Sequence, residues 1–144
     1  MLKEQFFSIL KEFSELTGAD LSPDEQTGAV VFIVDDDIVV NLRYMEDSDT
    51  VLIFCPVIDF GEFSAPDAGA KSLALLELTD ISGRCGSVTL ALDSDAHLVL
   101  AMDRRSALTI SSLDALAGWI EITTEAVRSV RQSLADNCPA AEDA

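Results

Sequence analysis

The stretch that decides the fold is Ala29-Val-Val-Phe-Ile-Val-Asp-Asp-Asp-Ile-Val-Val-Asn-Leu-Arg-Tyr-Met45. β-Branched and aromatic residues fill its two halves, and residues of this kind are enriched in β-strands. Asp35 to Asp37 separate the two halves, and a short polar break of good turn formers closes an antiparallel hairpin. The stretch therefore predicts two paired strands, Ala29–Val34 and Ile38–Met45.

More elements follow this hairpin towards the C-terminus. Residues Thr50–Val57 continue the β-branched pattern, and Pro56, which cannot donate a hydrogen bond to a neighbouring strand, is expected near a strand end or on an edge. Pro66 is suited to the first turn of a helix, and the leucines that follow it predict a short helix. Alternating apolar residues then predict two strands, Val88–Leu92 and Leu98–Met102.

Amphipathic helices are predicted at both ends of the chain. A three-four spacing of apolar residues predicts a helix over 2–16 and another that starts at Ser111 or Ser112 and ends at Asn137. Ser111 with Asp114 approximates a capping box. The predicted fold class is α+β, an antiparallel sheet of about five strands with three helices in the order α-β-β-β-α-β-β-α. We expect one domain over residues 1–138 and a flexible acidic tail over residues 139–144.

The charge of the chain limits its partners. The 144 residues carry 26 acidic and 9 basic side chains, a formal net charge of −17. A field of this sign repels nucleic-acid phosphates and anionic lipid head groups, so neither is an expected partner. The same charge keeps a protein with an exposed apolar surface from associating with itself.

The cysteines and the N-terminus indicate a cytoplasmic protein. The chain has three cysteines, Cys55, Cys85 and Cys138, an odd number at long spacings that does not form a disulfide framework. Met1 to Gln5 do not begin a signal peptide, and no apolar run approaches the ~20 residues that a membrane-spanning helix needs.

No group of residues in the sequence predicts catalysis, a cofactor or a metal site. His97 is the only histidine, and no nucleophile motif accompanies it. Asp35 to Asp37 are interpreted as a hairpin turn rather than as ligands of a hard cation. Asp93 to Asp95 lack the glycine that a calcium loop needs, and Cys55 is interpreted as a small core residue.

The first two strands are apolar on both faces. Val30, Phe32 and Val34 form one face of the first strand, and Ala29, Val31 and Ile33 form the other. One face packs on helices, and the other also needs a cover. Three covers are open: the two long helices sandwich the sheet, a dimer hides the second face, or that face forms a groove for a partner peptide.

Three stretches resemble the type III secretion chaperones, the small acidic family that includes the Tir chaperone. Residues 27–45 resemble the first hairpin of that family, Leu73-Ala-Leu-Leu-Glu-Leu78 resembles its middle helix, and Val88 to Met102 resemble its second hairpin. A long C-terminal helix follows, as in the family. The resemblance implies a bacterial, cytoplasmic homodimer without enzyme activity. Such a chaperone binds the N-terminal segment of a secreted effector and keeps that segment soluble and competent for secretion.

The resemblance also implies two sets of site residues. In the family pattern the middle helix and the following strand form the dimer contact, and apolar patches near the first helix and first strands anchor the effector. The alternative is a small acidic regulator that sequesters a cytosolic regulatory protein through the same surfaces. The predicted dimer contact comprises Leu73, Leu76, Leu78, Val88, Leu90 and Leu92, and the predicted partner-binding residues are Phe7, Leu10, Val30, Phe32 and Tyr44.

Overall fold

The computed structural model describes residues 2–24, 28–79 and 87–137. The predicted α+β class and element order are confirmed, and both strands of the first hairpin have the predicted bounds. The tail over residues 139–144, Cys85 and Cys138 lie outside the described residues. The elements are α1 (Leu2–Thr17), β1 (Ala29–Val34), β2 (Ile38–Met45), β3 (Thr50–Asp59), α2 (Ala68–Leu78), β4 (Thr89–Asp93), β5 (Leu98–Ser106) and α3 (Leu113–Asn137), with a short 3-10 turn over Ala107–Thr109.

The five described strands form one antiparallel sheet in the order β1-β2-β3-β5-β4. Neighbouring strands are joined by hairpins, except that α2 and β4 lie between β3 and β5 along the chain. No described strand pairs with the outer edges of β1 and β4. The sheet therefore has two outer edges that no described strand covers.

Turns and caps explain where the elements end. Asp35 and Asp36 have φ angles of 53° and 66°, the left-handed pair that a tight hairpin turn requires, so the predicted turn is confirmed. The α3 helix is capped by Ser112, whose Oγ accepts a hydrogen bond from the Ala115 N–H at 3.1 Å. Of the two predicted starts, Ser112 agrees with this cap, whereas the capping box expected from Ser111 and Asp114 is not the contact that forms.

Pro56 lies inside β3, opposite Leu100 of β5. The last β3 residue that pairs with β2 is Phe54, so Pro56 lies beyond that ladder and needs no N–H there. The register against β5 shifts between Pro56 and Ile58. The expectation of a place near a strand end agrees with this position, three residues before β3 ends at Asp59.

All three α-helices lie on one face of the sheet. Side chains of β2 and β3 that point to this face, such as Val40 and Ile53, are 0% exposed. The α3 helix packs on β3 and β5 and also contacts α1 and α2. The expectation that two helices sandwich the sheet is therefore wrong, because α1 contacts the same face as α3 through rings such as Phe13 and Phe32, whose centroids lie 6.0 Å apart.

Polar contacts fix α3 against the sheet. The indole N–H of Trp119, a residue 1% exposed, donates to Asp103 Oδ2 over 2.8 Å. The Arg105 guanidinium lies 5.2 Å from the indole centroid, within the range of a cation–π contact. At the other end of α3, Arg131 Nε donates to the carbonyl of Val57 at 2.8 Å. These contacts hold α3 on one face of the sheet, and no described helix covers the opposite face.

Candidate partner-binding surfaces

The described residues form no chemical centre. No group of three or more His, Cys, Asp or Glu side chains within them could hold a metal ion. His97 Nδ1 lies 2.8 Å from the carbonyl oxygen of Gly61, and its ring stacks on Phe63 with centroids 4.1 Å apart. Its ring therefore joins the β4–β5 turn to the segment before α2.

Cys55 is fully buried, and the burial raises the pKa of its thiol to about 11, an effect that nearby Arg131 offsets only in part. A thiol with this pKa is protonated and unreactive near neutral pH, which agrees with its interpretation as a core residue. Within the described ranges no helix is both long and apolar enough to cross a membrane.

The first apolar surface lies beside α1. A groove of about 310 Å³ runs between α1 and the segment after it, with Phe7, Leu10, Leu21 and Pro23 among its walls. Phe7 is half-buried, and its ring centroid lies 6.3 Å from that of Tyr44. Lys11, Ser14 and Ser22 complete the lining, so the groove is mainly but not wholly apolar, and it is partly open to solvent, which suits the side chain of a partner.

Tyr44 forms part of the floor under α1. Its hydroxyl donates to Asp49 Oδ1 over 2.6 Å, and only 6% of the residue is exposed. Burial, followed by the hydrogen bond and the charge of Asp49, raises the pKa of Tyr44 to about 12. Tyr44 is therefore neutral at physiological pH and supports α1 from below.

The predicted partner-binding residues divide into two groups. Phe7 and Phe32 are partly exposed and can be touched by a partner. Leu10, Val30 and Tyr44 are 2%, 1% and 6% exposed, so they belong to the core. For Val30 and Tyr44 the reason is geometric, since alternate residues of β1 and β2 point under α1. Leu10 lies on α1 itself and exposes only a small part of its side chain to the groove.

The second apolar surface is the end of the open sheet face nearest β1. Val31 is 54% exposed, Ile33 is 63% exposed and Val39 is 37% exposed. Ile33 and Val39 are paired across the β1–β2 ladder, and Val31 lies two residues before Ile33 on the same face. The sequence analysis placed Val31 and Ile33 on one face but left open which face the helices cover.

The third apolar surface lies between α2 and β4. Leu73 and Leu76 are 64% and 68% exposed, and Leu92 is 47% exposed. A groove of about 280 Å³ separates the two elements and is lined by Leu76, Leu90 and Leu92 among others. Four of the six residues predicted at the dimer contact are therefore accessible, including the half-buried Leu90.

Leu78 and Val88 differ from the other residues predicted at the dimer contact. They are 3% and 4% exposed and belong to the core of the single chain. Their burial within one chain leaves them little surface to offer a second copy. The dimer contact itself stays a prediction, carried by the exposed leucines.

A small α+β domain with three accessible apolar surfaces and no chemical centre in its described part has the features of a protein that binds other proteins. The sequence profile of the Tir chaperone protein (CesT) family matches residues 8–122. This range covers most of the chain, so the chain belongs to that family, which is a family of chaperones and not of enzymes.

Solved structures share the fold at low sequence identity. The crystal structure of the ExsC–ExsE complex is 15% identical, with a TM-score of 0.70 over 90% of this chain and 92% of that chain. The HopA1–SchA chaperone–effector complex is 18% identical, with a TM-score of 0.67 over 89% of this chain and 94% of that chain.

The Yersinia pestis type III secretion chaperone SycH, solved with a stable fragment of YscM2, is 20% identical. Its TM-score is 0.61, over 85% of this chain and 97% of that chain. No curated protein matches the sequence significantly.

Proposed function

We propose that this protein is a type III secretion chaperone, which binds the N-terminal segment of a secreted effector in the bacterial cytoplasm. Binding would keep the segment soluble and competent for secretion, without turnover of any substrate. Family membership supports this proposal, as do the chaperone complexes among the structures that share the fold.

The observation that carries the proposal is the exposed apolar surface of β1 at the outer edge of the sheet. Within the described residues, the start of this edge already has a contact of its own, since the Asp24 N–H donates to the Ala29 carbonyl at 2.8 Å. Val31 and Ile33 lie on β1, whose outer edge pairs with no described strand. An extended segment could form backbone hydrogen bonds along such an edge while its side chains cover the apolar residues. Phe7 and Phe32 would offer further contacts near α1, with Leu10, Val30 and Tyr44 as the floor beneath them.

We propose a homodimer formed through α2 and β4. Leu73 and Leu76 project from α2 and are largely exposed. Complete burial of one such leucine by a partner would favour association by roughly 1.5–3 kcal/mol. A net charge of −17 opposes non-specific association of such surfaces, which favours one defined contact over aggregation.

Co-purification from the native cells tests the proposal. The tagged full-length protein is isolated, and its partners are identified by mass spectrometry before and after limited proteolysis. We expect one secreted protein, protected over a short segment near its N-terminus. Recovery of a cytosolic regulatory protein instead would favour the regulator alternative.

A matched pair of variants locates the contact. Ile33→Asp places a charge on the exposed β1 surface, and Leu108→Asp places the same charge at a similarly exposed site on the 3-10 turn. We expect Ile33→Asp to reduce the recovered effector strongly and Leu108→Asp to leave it unchanged. Equal recovery with both variants would contradict a contact at β1.

A further inference from the structure

Two arginines share one row of the open sheet face. Arg43 on β2 pairs with Leu52 on β3, and Leu52 pairs with Arg104 on β5. Since paired residues of neighbouring strands point to the same face, both guanidinium groups start from the face without helices. The two Cα atoms are separated by two strand spacings, about 10 Å, with Leu52 between them.

These two arginines lack the partners that the helix-side cations have. Lys71, Arg105, Arg128 and Arg131 each form an ion pair with a described carboxylate. Among the described residues no carboxylate lies within ion-pair distance of Arg43 or Arg104. The Nε atom of Arg43 is buried and has no hydrogen-bond partner. A buried N–H without a partner is costly, and an arriving acceptor would remove that cost.

The side of the arginine row that faces the β1–β2 turn is mostly apolar, whereas the other side carries Thr50 and Ser106. The next row of the same face carries Val31, Asn41, Phe54 and Met102, and the row after it carries Ile33 and Val39. In a chain with only 9 basic and 26 acidic residues, two unpaired arginines beside apolar side chains form a local exception to the negative field. Charge complementarity therefore selects an apolar segment that carries a carboxylate.

We propose that the open face binds a cargo segment in which one Asp or Glu side chain, flanked by apolar residues, lies over Leu52 between Arg43 and Arg104. This inference rests on the proposed function, because it specifies the chemistry of the cargo. The carboxylate accepts hydrogen bonds from both guanidinium groups, and its apolar neighbours cover residues such as Phe54 and Val31. Arginine suits this role because its planar fork can bind a carboxylate through two parallel hydrogen bonds.

Short fluorescent peptides test the site on the full-length protein. The peptides share one sequence of alternating apolar and serine residues with lysines at the ends, and they differ only in a central Glu, Gln or Lys. We expect fluorescence anisotropy to give at least tenfold tighter binding of the Glu peptide than of the Lys peptide, equivalent to about 1.4 kcal/mol. Added salt should reduce the preference.

Substitutions assign the preference to the two arginines. R43Q/R104Q should lower the ratio of the two affinities to below about twofold, a difference of under ~0.4 kcal/mol. R43K/R104K keeps both positive charges but loses the planar guanidinium groups, so it should retain part of the preference for the Glu peptide over the Lys peptide. The control R128Q removes an arginine that pairs with Asp35 and Glu125 on the helix side, and it should retain the whole ratio. Melting curves show that each variant is folded.

Several results would overturn the inference. One is a wild-type protein that binds the three peptides equally or binds none of them, and another is an equal loss of preference in R128Q. A third is a gain of peptide binding in the E142Q/D143N variant, which would identify the chain's own acidic tail as the occupant of the row. Failure of the proposed function has a separate signature, since the co-purification would then return no secreted protein whatever the peptides do.

Discussion

The two faces of the sheet differ in burial although the same strands build them. On β3 the helix-covered residue Ile53 is 0% exposed, while on β1 the open-face residues Val31 and Ile33 are 54% and 63% exposed. Both faces are rich in apolar side chains, so hydrophobicity alone does not distinguish them. The comparison teaches that one apolar face stabilises the fold by packing against α1, α2 and α3, while no described helix covers the other, which we propose as a partner surface.

The largest expected effect is on the free energy of unfolding, when one side chain on each face of β3 is truncated to alanine. Ile53→Ala should lower the free energy of unfolding by about 3 kcal/mol, because it leaves a cavity under α3 that cannot collapse fully. Leu52→Ala, one residue away on the half-buried open face, should cost about 1 kcal/mol or less, since a partly exposed residue has less apolar surface to lose. Urea denaturation of both variants gives the two values, and equal costs would mean that the open face is also a core.

The next effect is a pH dependence of the free energy of unfolding, which arises from Tyr44 on the helix-covered face. Folding raises the pKa of Tyr44 from 10.0 to about 12, because burial and Asp49 disfavour the phenolate. The neutral form is thus favoured in the folded state, so the contribution of Tyr44 is present in full below pH 10 and is lost as pH rises from 10 to 12. The free energy of unfolding should fall by about 1–2 kcal/mol across this window, because solvent near the hydroxyl screens part of the effect.

The chain has one tyrosine, so phenolate absorbance reports this titration without interference. We expect half-ionisation near pH 12 in the folded protein and near pH 10 in urea. Cys55 titrates in the same window, since burial raises the pKa of its thiol to about 11, so the measurement is repeated in Cys55→Ala. A Tyr44→Phe variant with an unchanged alkaline stability profile would contradict the assignment.

The sequence predicted the sheet well because its strands are separated by short polar turns. The aspartates at 35–37 set both bounds of the first hairpin, and local rules suffice for such a turn. The cover of the sheet could not be predicted in the same way. Alternation shows that β1 has two faces, but it does not show which face meets a helix when both are apolar.

The candidate site was predicted only in part for the same reason. Leu73 and Leu76 are accessible as expected, whereas Leu78, at the end of α2, is buried in the core of the single chain. The arginine row was missed, since Arg43 and Arg104 are 61 positions apart and meet only through the register of three strands. Local sequence patterns likewise do not predict the hydrogen bond between Trp119 and Asp103, since these residues lie on different elements.

A smaller effect concerns the α2–β4 surface, which resembles the open face in being apolar and exposed. Leu76→Asp should raise the dissociation constant of the proposed dimer at least tenfold, or about 1.4 kcal/mol, because it places a charge in a desolvated contact. Light scattering over a range of micromolar concentrations measures the change. The control Leu108→Asp adds the same charge at a residue that is 69% exposed, against 68% for Leu76, and should leave the mass unchanged. A monomeric wild-type protein would remove the basis for the proposed dimer.

The smallest expected effect is the loss of stability when the N-cap of α3 is removed. Ser112→Ala removes the hydroxyl that accepts from the Ala115 N–H, and a lost N-cap of this kind costs about 1 kcal/mol. Ser111→Ala changes the neighbouring exposed serine and should cost less than about 0.5 kcal/mol, the usual limit for a surface substitution. Thermal unfolding of the two variants separates the alternatives. A larger loss for Ser111→Ala would restore the capping box that the sequence suggested, and it would move the start of α3 one residue towards β5.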